Sequence, residues 1–283
     1  MKLVFMSNFL NHYQFALSQN FIKKFGDEYK FIAMTPLAED RIASGWVDMN
    51  NEPFVIRAYE SPEAMKYAID TAVESEYIII GGTPLDMDIV HRRAADNKIT
   101  FEYTERKFKQ VGLGFIKSLF TPKIFKKVWG LLKRRHSVKT NNSNNYTHIL
   151  CAGAFVPADY IRIGYNSKNF YKWGYFPALK RYDDIDGLIS RKDKGSIVWA
   201  GRFLDWKHPD IAVILAKNLK AANIPFHMKI IGTGDMQDSL AGMIDAMNLN
   251  DCVELTGPMP PDKVRVEMEK AQIFLFTSDR NEG

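Results

Sequence analysis

The chain is poor in several features that mark common protein classes. It has two cysteines among 283 residues, Cys151 and Cys252. Their distance matches no zinc or redox spacing, so we expect reduced thiols in a cytosolic protein. No apolar run approaches the ~20 residues that span a membrane. The apolar run at 3–6 is short and is followed by polar residues, so we expect no secretory signal peptide.

Acidic residues are missing from one long segment. Eleven lysines and arginines and no aspartate or glutamate lie between Arg106 and Ala158, although the net charge of the whole chain is only +5. The rest of the chain is therefore net acidic. Such local basic character predicts one positive surface and argues against a general nucleic-acid binder.

Two short motifs are incomplete versions of known binding motifs. IIIGGTP at 78–84 has only two glycines, so it is no dinucleotide fingerprint. DMD at 86–88 has the D-x-D spacing of some metal sites, but it follows a strand and opens a helix, where acids complement the helix dipole. Without further ligands two carboxylates make a weak site, so we predict no metal.

What the chain does contain is a regular alternation of short β-rich runs and longer amphipathic stretches. Strands are predicted at 2–6, 31–34, 54–56, 77–80, 99–103, 197–200, 227–231, 253–255 and 273–276. Helical spacing occupies 13–24, 62–75, 87–97, 208–222, 235–247 and 261–270. The alternation predicts an α/β protein with parallel sheets. We expect two Rossmann-like domains, 1–179 and 196–283, joined by a polar linker at 180–195.

Two cations follow the predicted strand 197–200. Gly201 ends the strand, Arg202 comes next, and Lys207 precedes the following helix. Ligands of parallel sheets bind at the carboxyl ends of strands, and cations beside a helix N-terminus favour an anion such as a diphosphate. The alternative is that both charges are solvated or pair with Asp205 and Asp210.

Four stretches, in order and spacing, carry a resemblance to a known family. They are WAGRFLDWKHPDIAVILAKNL at 199–219, KIIGTGDMQDSL at 229–240, VELTGPMPPDKVRVEMEKA at 253–271 and IFLFTSDRNEG at 273–283. Together they resemble the retaining, nucleotide-sugar-dependent glycosyltransferases of family 4, which have the GT-B fold. The resemblance implies two Rossmann-like domains facing a cleft.

The resemblance also implies roles for single residues in the second half. Arg202 and Lys207, beside Gly201, look like the pair that grips the donor diphosphate. Gly232 and Gly234 look like the loop that passes close to the nucleotide; the alternative is an ordinary strand-to-helix turn.

Three further residues follow from the same resemblance. Thr256 and Gly257 look like the segment facing the base, and Glu282 looks like the first glutamate of an E-x7-E signature that holds sugar hydroxyls. The second glutamate would fall at position 290, beyond Gly283. We therefore expect a C-terminally truncated chain with an incomplete second domain, which binds donor poorly and turns over little.

The first domain is expected to supply the acceptor side. Asn11 and His12 lie in the predicted loop after the first strand, where His12 could bind sugar or phosphate or move a proton, or could simply start a helix. Glu105 follows the strand 99–103 and stands where many relatives carry a histidine near the sugar. The alternative for Glu105 is a salt bridge with Arg106 or another basic neighbour.

The basic segment contains a predicted amphipathic helix at 124–135. Its apolar face would hold Ile124, Phe125, Val128, Trp129, Leu131 and Leu132, and its basic face Lys123, Lys126, Lys133 and Arg134. Such a helix at 123–135 is typical of contact with an anionic membrane surface. The alternative is a helix packed on the first domain.

The resemblance, together with these features, implies a glycosyltransferase that moves a sugar from a UDP- or GDP-linked donor to a glycan or lipid-linked acceptor. No further cofactor is expected. The enzyme would act in the cytoplasm or peripherally at the inner face of the plasma membrane, in synthesis of surface polysaccharide or glycolipid. Two alternatives stay open: a nucleotide-sugar epimerase of GT-B fold, and a catalytically silent homologue that serves as a binding or scaffold subunit.

Overall fold

The computed structural model describes residues 1–43, 45–83, 87–107, 129–130, 132–136, 138 and 143–279. The chain divides into two compact units. The first unit comprises Met1–Leu37 and Asp48–Leu179, and the second comprises Ala38–Val47 and Lys180–Glu282.

The first unit is built on a parallel sheet of seven strands. In chain order these are β1 Leu3–Ser7, β2 Tyr29–Ala33, β3 Val55–Arg57, β4 Tyr77–Gly81, β5 Thr100–Thr104, β6 Thr147–Cys151 and β7 Phe170–Lys172. They lie in the order β3-β2-β1-β4-β5-β6-β7, with Leu3 of β1 opposite both Tyr29 and Tyr77. All five residues of β1 are buried, as expected for a central strand of a parallel sheet covered on both faces.

Helices of the first unit connect these strands. They are α1 His12–Phe25, α3 Pro62–Glu74, α4 Met87–Ala95, α5 Ser143–Tyr146 and α6 Val156–Ile163. Their starting points follow from local capping. Asn11 accepts the backbone N–H groups of Tyr13 and Gln14 at the start of α1, and Ser61 accepts that of Ala64 at the start of α3. Residues 129–130 and 132–136 are helical as well.

The second unit is built on a smaller parallel sheet. Its strands are β8 Asp193–Ala200, β9 His227–Ile231, β10 Val253–Gly257 and β11 Ala271–Phe274, in the order β10-β9-β8-β11. Its helices are α2 Glu39–Ala43, α7 Ile185–Ser190, α8 Pro209–Ala221, α9 Gln237–Ala246 and α10 Pro261–Lys270. Trp199, Phe203, Val213 and Ile230 are among the residues of its hydrophobic core.

The prediction of an α/β chain with two parallel sheets is confirmed, with three local differences. The predicted linker 180–195 contains helix α7 and the first residues of β8. Strand β11 starts at Ala271, two residues early, because Gln272 bonds to β8 through the Ser196 hydroxyl and the Gly195 N–H. Strands β6 and β7 and helix α6 went unpredicted, and β7 has only three residues, half-buried or exposed.

Two expectations about the whole chain can be compared with the structure. Cys151 is buried whereas Cys252 is half-buried, and neither forms a disulfide. Burial raises the pKa of the Cys151 thiol, which keeps that thiol protonated at neutral pH. Among the described residues, no helix combines the length and the apolar character needed to cross a membrane.

Candidate functional site

The loops that follow β8, β9 and β10 lie side by side in the second unit. The Gly201 N–H donates to the carbonyl of Ile231 at 3.0 Å, and the Gly232 N–H donates to that of Gly257 at 3.0 Å. One loop further, the Phe203 N–H donates to the carbonyl of Thr233 at 2.9 Å. Parallel pairing of the three strands therefore brings predicted residues from three separate sequence segments to one edge of the sheet.

Gly232 and Gly234 are required by the packing of these loops. A Cβ on Gly232 would lie 1.9 Å from the carbonyl oxygen of Gly201, and one on Gly234 would lie 2.6 Å from that of Phe203. Both residues also have positive φ, +143° and +154°. The contacts within the protein suffice to explain the two glycines, so their approach to a nucleotide stays a prediction.

Arg202 lies next to the glycine loop, the segment after β9 that carries Gly232 and Gly234, and its side chain is exposed. In the part of the chain that the structure describes, its guanidinium makes no ion pair and no hydrogen bond, so it does not pair with Asp205 or Asp210 there, and the alternative of a solvated charge stays open. Lys207 ends the 3₁₀ turn Asp205–Lys207. Its carbonyl accepts the Thr277 hydroxyl at 2.6 Å, which fixes the backbone that carries the lysine.

Thr256 and Gly257 end strand β10. The Thr256 hydroxyl donates to the carbonyl of Gly257 at 3.1 Å, and Gly257 has φ +75° with open space where a Cβ would point. Their contact with a base stays a prediction. Glu282 lies outside the described residues.

His208 belongs to the same edge and was missed by the sequence reasoning. It adopts a left-handed conformation, φ 49°, directly before Pro209 and helix α8. Its Nε2 lies 3.5 Å from Asp279 Oδ2 and its Nδ1 lies 3.9 Å from Asp210 Oδ1. A non-glycine residue in this conformation is uncommon. The dipeptide His-Pro at a helix start is the only sequence signal that could have drawn attention to it.

The first unit contains a cavity of about 520 Å³ at the carboxyl ends of β1, β4 and β5. Asn11 and Glu105 both line it, so the structure brings these two predicted residues together. His12 is not among its lining residues. It is the first residue of α1, and its ring lies 3.9 Å from that of Tyr13. The other lining residues are Ser7, Asn8, Phe9, Tyr13, Gln14, Ile80, Gly82, Thr83, Glu102, Tyr103, Thr104, Lys107 and Tyr175.

Asn11 and Glu105 already have partners within the protein. The Asn11 Oδ1 atom caps α1, at 3.0 Å from the Tyr13 N and 3.1 Å from the Gln14 N. Glu105 Oε1 accepts the hydroxyl of Tyr175. Burial, and then this bond, raise the pKa of the Tyr175 hydroxyl well above its usual range, so the hydroxyl is a donor at neutral pH. Arg106, one of the basic neighbours that the alternative interpretation paired with Glu105, contacts Asp159 at 3.6 Å.

Aromatic rings form part of the cavity wall. The ring of Tyr175 lies 5.1 Å from that of Tyr13 and 6.1 Å from that of Tyr103. Rings of this kind offer large apolar area together with a polar hydroxyl. Sequence reasoning passed over all three tyrosines, because nothing local distinguishes them from core aromatics.

A buried carboxylate, Glu102, lies beside the cavity with two cations around it. Arg134 Nη2 donates to Glu102 Oε2, and the Tyr160 hydroxyl donates to Oε1 at 2.6 Å. Lys107 Nζ lies 3.7 Å from the same Oε1. Burial lowers the pKa of Arg134, but Glu102 and Tyr165 raise it more, so the guanidinium stays charged.

Arg134 contradicts the predicted helix faces of the basic tract. It was expected on the solvated basic face, yet its side chain is only 13% exposed, because it reaches Glu102 and Tyr165. Trp129 and Leu132, predicted for an apolar face, are 61% and 57% exposed. The tract at 123–128 and Leu131 lie outside the described residues.

No group of three or more histidine, cysteine, aspartate or glutamate side chains that could hold a metal occurs among the described residues. Of the D-x-D motif, Asp86 lies outside them. Asp88 lies on α4 with its side chain 72% exposed, 3.8 Å from Arg92. An exposed acid in the first turn of a helix is accounted for by the helix dipole.

Comparison with known protein sequences gives matches to part of the chain. Residues 181–283 match the family model described as Glycosyl transferases group 1. The amylovoran biosynthesis glycosyltransferase AmsK of Erwinia amylovora is 32% identical over 82 residues, which are 29% of this chain and 20% of AmsK. The chain thus spans about a fifth of the length of the curated relatives it matches.

Solved structures resemble nearly the whole chain. The Anabaena protein HepE in complex with UDP has a TM-score of 0.58 at 14% identity, covering 98% of this chain and 74% of HepE. The lipopolysaccharide outer core galactosyltransferase WaaB has a TM-score of 0.54 at 11% identity, with 98% and 74% covered. The chain therefore has a GT-B-like α/β fold, and its residues 181–283 are similar to the Glycosyl transferases group 1 family.

Proposed function

We propose that this chain is the sugar-transferring part of a glycosyltransferase of family 4. It takes a sugar from a UDP- or GDP-linked donor and transfers it, with retention at the anomeric carbon, to a glycan or lipid-linked acceptor. The domain match at 181–283 supports a transferase. The name of AmsK, an amylovoran biosynthesis glycosyltransferase, supports a polysaccharide product.

One observation carries the proposal. The Arg202 guanidinium is exposed directly after β8, in a loop that is hydrogen-bonded to the glycine loop after β9. Two glycosyltransferase-fold neighbours, HepE and an alpha-glucosyltransferase, were solved with UDP. We assign the donor diphosphate to Arg202 and Lys207, beside Gly201. The residues Gly232, Gly234, Thr256, Gly257 and Glu282 complete the proposed donor site.

The chemistry follows from the charges that develop during transfer. Breaking the bond between sugar and diphosphate builds positive charge on the anomeric carbon and negative charge on the departing phosphate. Fixed cations at that phosphate stabilise the transition state more than the ground state, which is what accelerates the reaction. The planar fork of Arg202 and the point charge of Lys207 differ in geometry, so neither residue substitutes for the other.

Retention requires the acceptor to attack from the face that the diphosphate leaves. The departing phosphate would take the proton from the acceptor hydroxyl, so we assign no enzyme nucleophile. We assign the acceptor to the cavity of the first unit. There Glu105 would accept a hydrogen bond from a sugar hydroxyl. Asn11 would hold the loop that precedes α1, and His12, the first residue of α1, would bind sugar or move a proton beside that loop.

The proposal is tested with the full-length protein that carries this chain. It is incubated with UDP-, GDP- and TDP-sugars while donor hydrolysis and thermal stabilisation are measured. Arg202→Ala should raise the barrier by about 3 kcal/mol, roughly a hundredfold in rate, and should remove the stabilisation. Arg162→Ala, at an exposed arginine of α6 in the first unit, is the matched control and should behave as the wild type.

The outcomes separate the alternatives. A response of Arg202→Ala equal to that of the wild type would remove the phosphate assignment. Release of an altered nucleotide sugar without any acceptor would identify an epimerase. Stabilisation by nucleotide sugars without turnover, in the full-length protein, would identify a silent binding subunit.

A further inference from the structure

Lys107 is the one cation that lines the cavity of the first unit, counted among the described residues. Its side chain is 34% exposed, and its Nζ also lies 5.8 Å from the centre of the Tyr160 ring. The lining carboxylates are Glu102 and Glu105. How far these two carboxylates neutralise Lys107 decides what the cavity binds.

Both oxygens of Glu102 already accept hydrogen bonds from residues other than Lys107. Arg134 donates to its Oε2, and the Tyr160 hydroxyl donates to its Oε1 at 2.6 Å. Lys107 reaches the same Oε1 only at 3.7 Å. A carboxylate carries one negative charge, so Arg134 and Lys107 together leave this cluster with one positive charge in excess. Because Glu102 and Arg134 are 5% and 13% exposed, the excess charge is accessible at Lys107.

Glu105 keeps its negative charge, because the Tyr175 hydroxyl that donates to its Oε1 is neutral. Glu105 does not neutralise Lys107, since it is not among the charges that act on that ammonium. The charges that act on the Lys107 ammonium come from Glu102, which attracts it, and from Arg134, which repels it. Burial is the larger effect and lowers the pKa of Lys107, so Glu102 does not fully compensate the loss of water around the ammonium. A half-buried cation of this kind is stabilised by an anion that enters from the cavity.

The geometry points to a cavity that binds a negatively charged group of the acceptor, a carboxylate or a phosphate attached to a sugar, on Lys107 Nζ. The tyrosine rings of the wall would contact the apolar face of that sugar, and Glu105 would accept a hydroxyl. Glu102 is a positioning residue, since it contacts Lys107, and Arg134 acts through Glu102, to which it donates. The inference rests on the proposed function only in calling the bound sugar the acceptor. Binding of the charged group itself is measured without donor.

The test uses four probes on the full-length protein: α-D-glucose 1-phosphate, D-glucuronic acid, D-glucose and inorganic phosphate. Binding is followed by ligand-observed NMR titration. At least one charged sugar should bind about tenfold more tightly than glucose, because a charged hydrogen bond is stronger than a neutral one. The two charged sugars distinguish a phosphate from a carboxylate, and inorganic phosphate reports the contribution of the sugar ring.

Lys107→Gln should reduce the affinity for the charged sugar to that for glucose, and Lys107→Arg should restore it at least in part. Lys168→Gln, at an exposed lysine of the same unit, is the matched control. UDP affinity, measured in parallel, should be unchanged in all variants. Since Lys107 contributes to a buried cluster, the melting temperature of each variant is recorded to show that it is folded.

The inference is overturned if glucose binds as tightly as the charged sugars, or if Lys107→Gln binds them like the wild type. It is also overturned if no charged sugar binds with a Kd below about 10 mM. Failure of the wild-type protein to bind both UDP and GDP would count against the proposed function alone, because the cavity probes do not need the donor.

Discussion

At the scale of single residues, two glycines of the second unit illustrate opposite constraints. Gly232 has φ +143°, and a Cβ there would lie 1.9 Å from the backbone oxygen of Gly201. Gly242, in helix α9, has nothing within 4 Å of the position of a Cβ. A backbone oxygen cannot move aside as the end of a flexible side chain can. Of these two glycines, therefore, only Gly232 is at a position where the surrounding structure excludes every side chain.

We expect Gly232→Ala to lower the free energy of unfolding by about 3 kcal/mol, through steric overlap and an unfavourable φ. Gly242→Ala should raise it by about 0.5–1 kcal/mol, because alanine is the better helix former. Urea unfolding of both variants measures the difference. Equal midpoints for the two variants would show that the loops after β8 and β9 are not packed as described.

At the scale of elements, a buried arginine joins helix α4 to its neighbours. The Arg93 guanidinium is fully buried and donates to backbone carbonyls of Ala72, Ser75 and Ile99 at 2.7–2.8 Å. Burial lowers its pKa to about 10, which still leaves it charged at neutral pH. The end of α3 presents carbonyls without helical partners, and Arg93 satisfies them. One side chain of α4 thus holds the end of α3 and the start of β5 together.

Arg93→Met should cost about 3–5 kcal/mol, because several buried carbonyls lose their donors at once. Arg92→Met is the matched control on the next residue. Arg92 is 45% exposed and contacts Asp70 and Asp88 at 3.8 Å, so its loss should cost less than about 1 kcal/mol. Thermal unfolding of both variants is the measurement. A small effect at Arg93 would mean that α3 ends independently of α4.

At the scale of the whole molecule, charge is distributed unevenly along the chain. The segment from Arg106 to Ala158 is purely basic, whereas the rest is net acidic. Within that segment Trp129 is 61% exposed, with Lys133 Nζ 3.9 Å above its ring, and Leu132 is 57% exposed. Exposed tryptophan beside lysine is typical of residues at a membrane interface. We therefore propose that this tract contacts an anionic lipid surface.

Vesicles of anionic phospholipid should bind the protein at low salt and release it as salt rises, because the attraction is screened. Trp129→Ala should weaken binding by about tenfold, from the loss of buried aromatic area. Tyr67→Ala removes an aromatic ring that is 58% exposed on α3, outside the basic segment, and should leave binding unchanged. Co-sedimentation with vesicles measures both. Equal binding of the two variants would favour a helix that packs on the protein with a solvated basic face.

The sequence by itself determined the fold class and the placement of most elements. Alternating apolar runs and helical spacing predict parallel sheets, since hydrophobic periodicity is a local property of the chain. The stretch at 199–219 likewise pointed to Arg202 and Lys207, because a glycine and two cations after a buried strand form a local pattern. Helix α10 was predicted at its observed limits, Pro261–Lys270.

Only the tertiary structure decided which side chains share a cavity. Tyr175 and Glu105 are 70 residues apart, and Arg134 and Glu102 are 32 apart, yet each pair is in hydrogen-bond contact. No local pattern records such pairs, because they arise when strand order in the sheet brings remote segments together. For the same reason the sequence did not identify Lys107 as a candidate binding residue. Its positive charge is not fully neutralised because Arg134, a remote residue, already donates to the Glu102 carboxylate that Lys107 contacts.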